Sequence, residues 1–237
     1  MKAAFFDVDE TLIRLKSMVS FQQYYFSQAS AQGWLMDEPF STFEAFMAHF
    51  RQLSETVPRE NLNRAYYQSF AGRPVDRITR CGQEWFQARL QDTAVPFWYE
   101  PGVAELRRCQ RSGYRIVLVS GSFNELLAPI ATDLKVDGVI ATHIVREGNV
   151  FTGEITGTPC IGEGKAARIQ DYALRHRIDL ARSLAVGDHQ SDIPMLESTG
   201  SACYVPGDTV LEKAAEASGW RPLSATSNGQ QPLPVNL

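Results

Sequence analysis

Apolar residues follow two rhythms along this chain, and the change from one to the other divides it. Residues 3–8 (AAFFDV) form a short apolar and aromatic run closed by acidic side chains, the pattern of a buried strand. From roughly 16 to 94 the spacing is helical, as in Phe43, Phe46, Met47 and Phe50, and Gly33, Pro39, Pro58, Gly72 and Pro74 cut the stretch into several helices. Pro101-Gly102 introduces a helix over 102–112 that Gly113 ends. Residues 114–119 (YRIVLV) predict a β-branched strand, with Ser120-Gly121-Ser122 opening the next helix. Residues 138–156 read as a β-hairpin turning at Glu147-Gly148-Asn149. A helix over 163–176, a strand at 183–186 (SLAV) running into Gly187-Asp188, a strand at 202–205 and a helix near 208–218 complete the pattern. The tail from about 225 is polar, rich in Gly, Pro, Asn and Gln, and is expected to be disordered.

Strands alternating with helices predict an α/β fold with a Rossmann-like, three-layer core and a parallel sheet, interrupted after its first strand by a helical insertion. Ligands in such sheets bind beyond the carboxyl ends of the strands. The polar residues that follow the predicted strands fall there: Asp7 and Asp9 after the first, Ser120 after the second, Asp188 after a later one.

Composition narrows the function classes. The 237 residues are 44% hydrophobic, enough for a buried core. A net charge of −4 offers no basic field for nucleic acid or an anionic membrane. No apolar stretch approaches the roughly 20 residues of a membrane helix, and the opening run from Ala3 to Phe6 is too short for a signal peptide, so a cytoplasmic protein is expected. Cys81, Cys109, Cys160 and Cys203 are widely spaced with no C-x-x-C pair, which suggests neither a zinc site nor a disulfide framework.

Four segments carry candidate chemistry. Asp7-Val8-Asp9-Glu10-Thr11 sets two carboxylates beyond a strand end, one able to attack phosphorus while the other handles a proton; a plain acidic turn has the same letters. Gly187-Asp188-His189-Gln190-Ser191-Asp192 offers hard oxygen ligands suited to Mg²⁺, or a helix cap. Ser120 and Gly121 offer a hydroxyl and backbone N–H groups to a phosphate, or simple capping. Lys165 can balance phosphate charge, although a lone lysine is more often a solvated one. Its segment is not a P-loop, because Pro159 and Ala166 replace the required glycine and Ser/Thr.

Taken together, FFDVDETL, VLVSGSF, GEGKA and AVGDHQSDIPML resemble the haloacid dehalogenase-like phosphatases, in the subfamily IB branch that contains phosphoserine phosphatase. The resemblance implies a catalytic core over 1–15 and 97–224, a helical cap of the C1 type over 16–96, and a tail at 225–237 outside both. It implies that Asp7 is the nucleophile and Asp9 the general acid and base, with Thr11 supporting the loop. Ser120, Gly121 and Lys165 would bind phosphate. Mg²⁺ would take Asp7, the backbone carbonyl of Asp9, and Asp188, with Asp192 in support. The implied partner is a small-molecule phosphomonoester.

One position departs from that branch. Phosphoserine phosphatases carry a glutamate nine residues after the nucleophile, where this chain has Lys16, and a cation there repels the ammonium of phosphoserine. Lys16 and Arg51 are therefore candidate specificity residues, with Arg14, for a leaving group that is anionic or rich in hydroxyls. Three rivals share parts of the pattern: a phosphotransferase passing the same phosphoryl group to an alcohol, a receiver-like signalling domain, and a phosphate-binding protein without turnover.

Overall fold

The strand order explains why the polar loops meet. Residues 1–223 are described by a computed structural model. Its main sheet contains β1 (Ala3–Phe6), β2 (Arg115–Phe123), β3 (Gly138–Thr142), β6 (Leu184–Gly187), β7 (Ser201–Tyr204) and the two-residue β8 (Arg221–Pro222). The order is β3-β2-β1-β6-β7-β8, and all pairs are parallel. The chain leaves β1 toward β2 on one side and reaches β6 on the other. The loop after β1 therefore lies at the topological switch point, where the crevice of such a sheet opens.

Side chains alternate across the sheet, as pleating requires. Ala4, Phe6, Ile116, Leu118 and Val186 enter one core with α5 (Glu100–Arg111) and α6 (Asn124–Leu134). Ala3, Phe5, Val117, Val119 and Ala185 enter the other with α7 (Glu163–His176), α8 (Ile193–Glu197) and α9 (Thr209–Ser218). Helices thus cover both faces, which suits strands that are apolar on both sides.

Between β1 and β2 the chain forms α1 (Ser17–Gln32), α2 (Phe43–Ser54), α3 (Arg59–Gln68) and α4 (Val75–Gln91). Phe21, Tyr25, Phe46, Tyr67, Phe70 and Trp85 are buried, continuous with the first core. Phe26 is buried with them, and Tyr24 packs against the same core while partly exposed. A buried ion pair, Arg73 to Glu38 at 2.7 Å, ties this insertion together, and the Tyr25 hydroxyl donates to Glu38 at 2.6 Å.

The hairpin is shorter than its pattern suggests. Residues 138–142 are β3 of the main sheet, and only β4 (Ile144–Glu147) and β5 (Val150–Ile155) pair antiparallel. Two adjacent apolar runs look alike in sequence whether they pair with each other or with a distant strand. Nor does Ser120-Gly121-Ser122 open a helix: β2 continues through it with an irregular register, and α6 starts at Asn124. The tail expected at 225–237 lies outside the described residues.

Candidate active site

The loop after β1 winds around a single carbonyl. Thr11, Leu12 and Ile13 all direct their N–H groups at Val8 O, and Glu10 takes a positive φ of 61° to make the turn. Asp7 N–H donates to Val186 O at 2.9 Å, so the first residue past β1 is fixed beside β6. Gly102 lets α5 approach this loop: a Cβ there would lie 1.9 Å from Thr11 O.

Register brings the other motifs level with it. Phe6 pairs with Leu118 on one side and Val186 on the other, so Ser120 and Asp188 emerge at the same end as Asp7. Lys165, in the first turn of α7, is 4% exposed and donates to Asp7 Oδ1 at 2.5 Å and to Asp192 Oδ1 at 2.7 Å. Asp192 Oδ2 accepts the N–H groups of Asp188 and His189 at 3.2 and 3.3 Å. Gly187 is required here too, since a Cβ would fall 2.7 Å from Asp192 Cβ. Thr11 Oγ1 donates to Asp188 Oδ1 at 2.9 Å, joining the first motif to the last.

Carboxylate oxygens of Asp7, Asp188 and Asp192 lie within 4.8 Å of one another, against the one ammonium of Lys165. Burial, and then mutual repulsion, raise the Asp188 carboxyl well above its usual range; Asp7 is raised by burial although Lys165 opposes it. Burial pulls Lys165 down, but Asp192 and Asp7 outweigh it and hold the ammonium charged. Asp9 is pushed up to about 7 by burial and by Asp7. One Asp9 oxygen accepts Ser17 N–H at 3.0 Å, at the start of α1, and the other is buried without a partner. This donor set of hard oxygens with excess negative charge fits a divalent cation such as Mg²⁺.

Ser120 Oγ accepts Ser122 N–H at 3.1 Å within the irregular end of β2. Gly121 packs against Ile161, and its carbonyl receives the Tyr67 hydroxyl, the Thr142 hydroxyl at 3.1 Å and the Asn63 amide at 3.4 Å. Lys16 is exposed at the start of α1. Arg51 is exposed in the last turn of α2, and among the described residues no hydrogen bond or ion pair joins its side chain to the site.

Arg59 and Asn63 carry no sequence motif, yet both reach the motif loops. Arg59 Nη1 donates to His189 Nδ1 at 2.8 Å and to Ser191 Oγ at 3.2 Å, bridging α3 to the loop after β6. Burial and the Arg59 charge lower the His189 pKa. Residues 59, 63, 66 and 67 share one helical stripe, so the spacing existed in sequence, but nothing local marks which helix returns over the strand ends.

This arrangement has known relatives. Residues 4–197 match the model of the haloacid dehalogenase-like hydrolase family. A probable phosphatase of Mycobacterium tuberculosis is 31% identical over 94% of this chain and 75% of its own length. A phosphoserine phosphatase of the same species is 30% identical over 92% of this chain and 69% of its own length. In fold, a Bordetella pertussis protein of unknown function superposes with a TM-score of 0.78 at 22% identity, covering 94% of this chain and 98% of its own. The chain belongs to the haloacid dehalogenase-like hydrolase family. Within that family it is a phosphatase. No described helix is long and apolar enough to cross a membrane.

Proposed function

We propose that the protein is a Mg²⁺-dependent phosphomonoester hydrolase that takes phosphate onto Asp7 and passes it to water. The observation that carries this reading is the buried Asp7 carboxylate, held by Lys165 at 2.5 Å and grouped with Asp188 and Asp192. Asp7, the Asp9 backbone carbonyl and Asp188 would hold the ion, with Asp192 orienting the loop. When bound, Mg²⁺ offsets the repulsion between a carboxylate and an anionic phosphate.

An Asp7 oxygen attacks phosphorus as the ester P–O bond breaks. Asp9, protonated to a substantial degree near pH 7, gives its proton to the departing oxygen and releases an alcohol. Asp9 then takes a proton from water, the water oxygen forms the new P–O bond, and the Asp7–phosphorus bond breaks. The products are an alcohol and inorganic phosphate. Lys165, the Ser120 hydroxyl and the Gly121 N–H face the phosphoryl oxygens and stabilise their charge in the transition state. Residues 16–96 act as the cap that sets specificity on a core formed by 1–15 and 97–224.

The substrate is a small phosphorylated metabolite. Although a relative is named phosphoserine phosphatase, phosphoserine is disfavoured, because Lys16 stands where that branch carries its ammonium-binding glutamate. Phosphate release from para-nitrophenyl phosphate and a phosphometabolite panel, with Mg²⁺, with chelator and with Asp7→Asn, tests the reading. Release should require Mg²⁺ and vanish in the variant; undiminished turnover by Asp7→Asn would sink it.

A further inference from the structure

Strand β2 falls out of step with its neighbour where it meets the site. Ser120 pairs with Ala141 but Phe123 pairs with the very next residue, Thr142, so Gly121 and Ser122 bulge from the ladder. A bulged carbonyl loses its strand partner and, away from water, needs another donor. Side chains supply it here. The Thr142 hydroxyl donates to Gly121 O at 3.1 Å, and the Tyr67 hydroxyl donates to the same oxygen. These two fill the carbonyl's lone pairs, with the Asn63 amide farther off at 3.4 Å.

The two hydroxyls come from different parts of the chain. Thr142 ends β3 of the core, whereas Tyr67 lies on α3 of the insertion, and both are fully buried. The Tyr67 ring packs edge-on against Phe123 and Tyr66, which fixes where its hydroxyl points. The hydroxyl's other neighbour is the Met18 sulfur at 3.9 Å, a weak acceptor, so its one proton goes to the carbonyl. Burial holds the phenol well above its usual pKa, which keeps it a donor.

The peptide carries this grip into the site. The Gly121–Ser122 bond is trans, so its C=O and N–H point in opposite directions. With the oxygen turned toward α3 and β3, the Ser122 N–H points back at Ser120 and donates to its Oγ at 3.1 Å. A serine oxygen that already accepts this bond still has its own proton to give. A phosphoryl oxygen, which only accepts, needs that proton.

We infer that Tyr67 is a positioning residue for the phosphatase reaction: without touching substrate, it sets the Gly121–Ser122 peptide so that Ser120 presents its hydroxyl proton to phosphate. The inference rests on the phosphatase reading above. It gives the inserted helices a part in binding the phosphate as well as in choosing the substrate, because without α3 the Gly121 carbonyl keeps only the Thr142 hydroxyl.

The test is a double-mutant cycle on the full chain, read as kcat/KM for para-nitrophenyl phosphate at saturating Mg²⁺, with circular dichroism verifying each fold. Tyr67→Phe keeps the ring and removes the hydroxyl, and should lower kcat/KM about 5- to 10-fold, the scale of one hydrogen bond. In a Ser120→Ala background the same change should cost less than about 2-fold, because the group it positions is gone. Thr142→Val, which removes the other hydroxyl from the same carbonyl, should show the same dependence on Ser120. A merely structural tyrosine would cost the same factor in both backgrounds, and that result would overturn the inference. Wild-type kcat/KM in Tyr67→Phe or in Ser120→Ala would overturn it too. Asp7→Asn in parallel separates the two readings: persistent turnover there defeats the phosphatase chemistry, whereas turnover lost there with a Tyr67 factor independent of Ser120 defeats the positioning role alone.

Discussion

Lys165 Nζ lies 2.5 Å from Asp7 Oδ1 in a buried setting, so the proposed nucleophile is held by an ion pair rather than by solvent. The same ammonium reaches Asp192 Oδ1 at 2.7 Å, which makes it the cation shared by two motifs far apart in sequence. Lys165→Met should cost about 100-fold or more in kcat, the range for losing one preorganised electrostatic contact. Steady-state phosphate release from the folded variant checks this, and activity within a few-fold of wild type would remove Lys165 from the machinery.

Gly102 sits where any side chain would collide with the motif loop, its Cβ falling 1.9 Å from Thr11 O. Backbone cannot yield as a side-chain tip can. Gly102→Ala should therefore destabilise the fold by about 2 kcal/mol, within the usual range for overpacking, and displace Thr11 from Asp188. Denaturant titration measures the first effect. A variant as stable and active as wild type would show that α5 moves freely away from the loop.

How much of this was legible in sequence depends on whether the information was local. Asp7, Asp188 and Lys165 follow turn or strand-end signals, and the parallel α/β pattern implies that those ends converge. The alternation of Ala3–Phe6 across two cores follows from pleating alone. By contrast, β3 was hidden, because an apolar run does not say which strand it joins. Arg51 and Arg59 were equally ordinary helical arginines. Only the packing of α3 over the strand ends brings Arg59 to His189 while Arg51 faces solvent. The contact of Asn63 with Gly121 O is likewise a tertiary property with no trace in spacing.

Glu105 gives a pH-dependent stability term away from the site. It receives Arg108 of its own helix at 2.6 Å and Arg221 of the edge strand β8 at 2.8 Å. Burial pushes its carboxyl up, but the two guanidinium groups outweigh it, so the folded pKa lies below the usual 4.5. A depressed carboxyl contributes stability that is fully present above about pH 4.5 and is lost as pH falls through the lower folded value. Glu105→Gln should melt lower than wild type at pH 6 to 7, and the gap should shrink below pH 4.5. A gap of constant size from neutral to acid pH would show that the ionised form contributes nothing.

The four cysteines should be silent toward thiol reagents. All are free and buried, and burial pushes Cys81, Cys160 and Cys203 up to about 11 and Cys109 up to about 12. The thiolate is the reactive form, so neither access nor ionisation favours reaction at pH 8. Titration with a chromogenic disulfide should find almost no reactive thiol in the native protein and all four in denaturant. Rapid reaction of one cysteine in the native state would locate a region that opens readily.

Asp188 should reverse its effect on stability according to the metal. Without a cation it is a partly buried carboxylate beside Asp7 and Asp192, raised by desolvation and then by both neighbours, so its ionised form opposes folding. Asp188→Asn removes that charge and can keep the acceptor oxygen for Thr11. The variant in chelator should therefore melt above wild type, each ~1 kcal/mol appearing as roughly 2–4 °C at this chain length. With saturating Mg²⁺, binding to the folded state should raise the wild-type melting temperature and leave the variant nearly unmoved. The crossing of the two comparisons is the diagnostic feature, because a merely structural carboxylate would lose stability in both conditions. Equal Mg²⁺ shifts in both proteins would remove Asp188 from the ion's ligands.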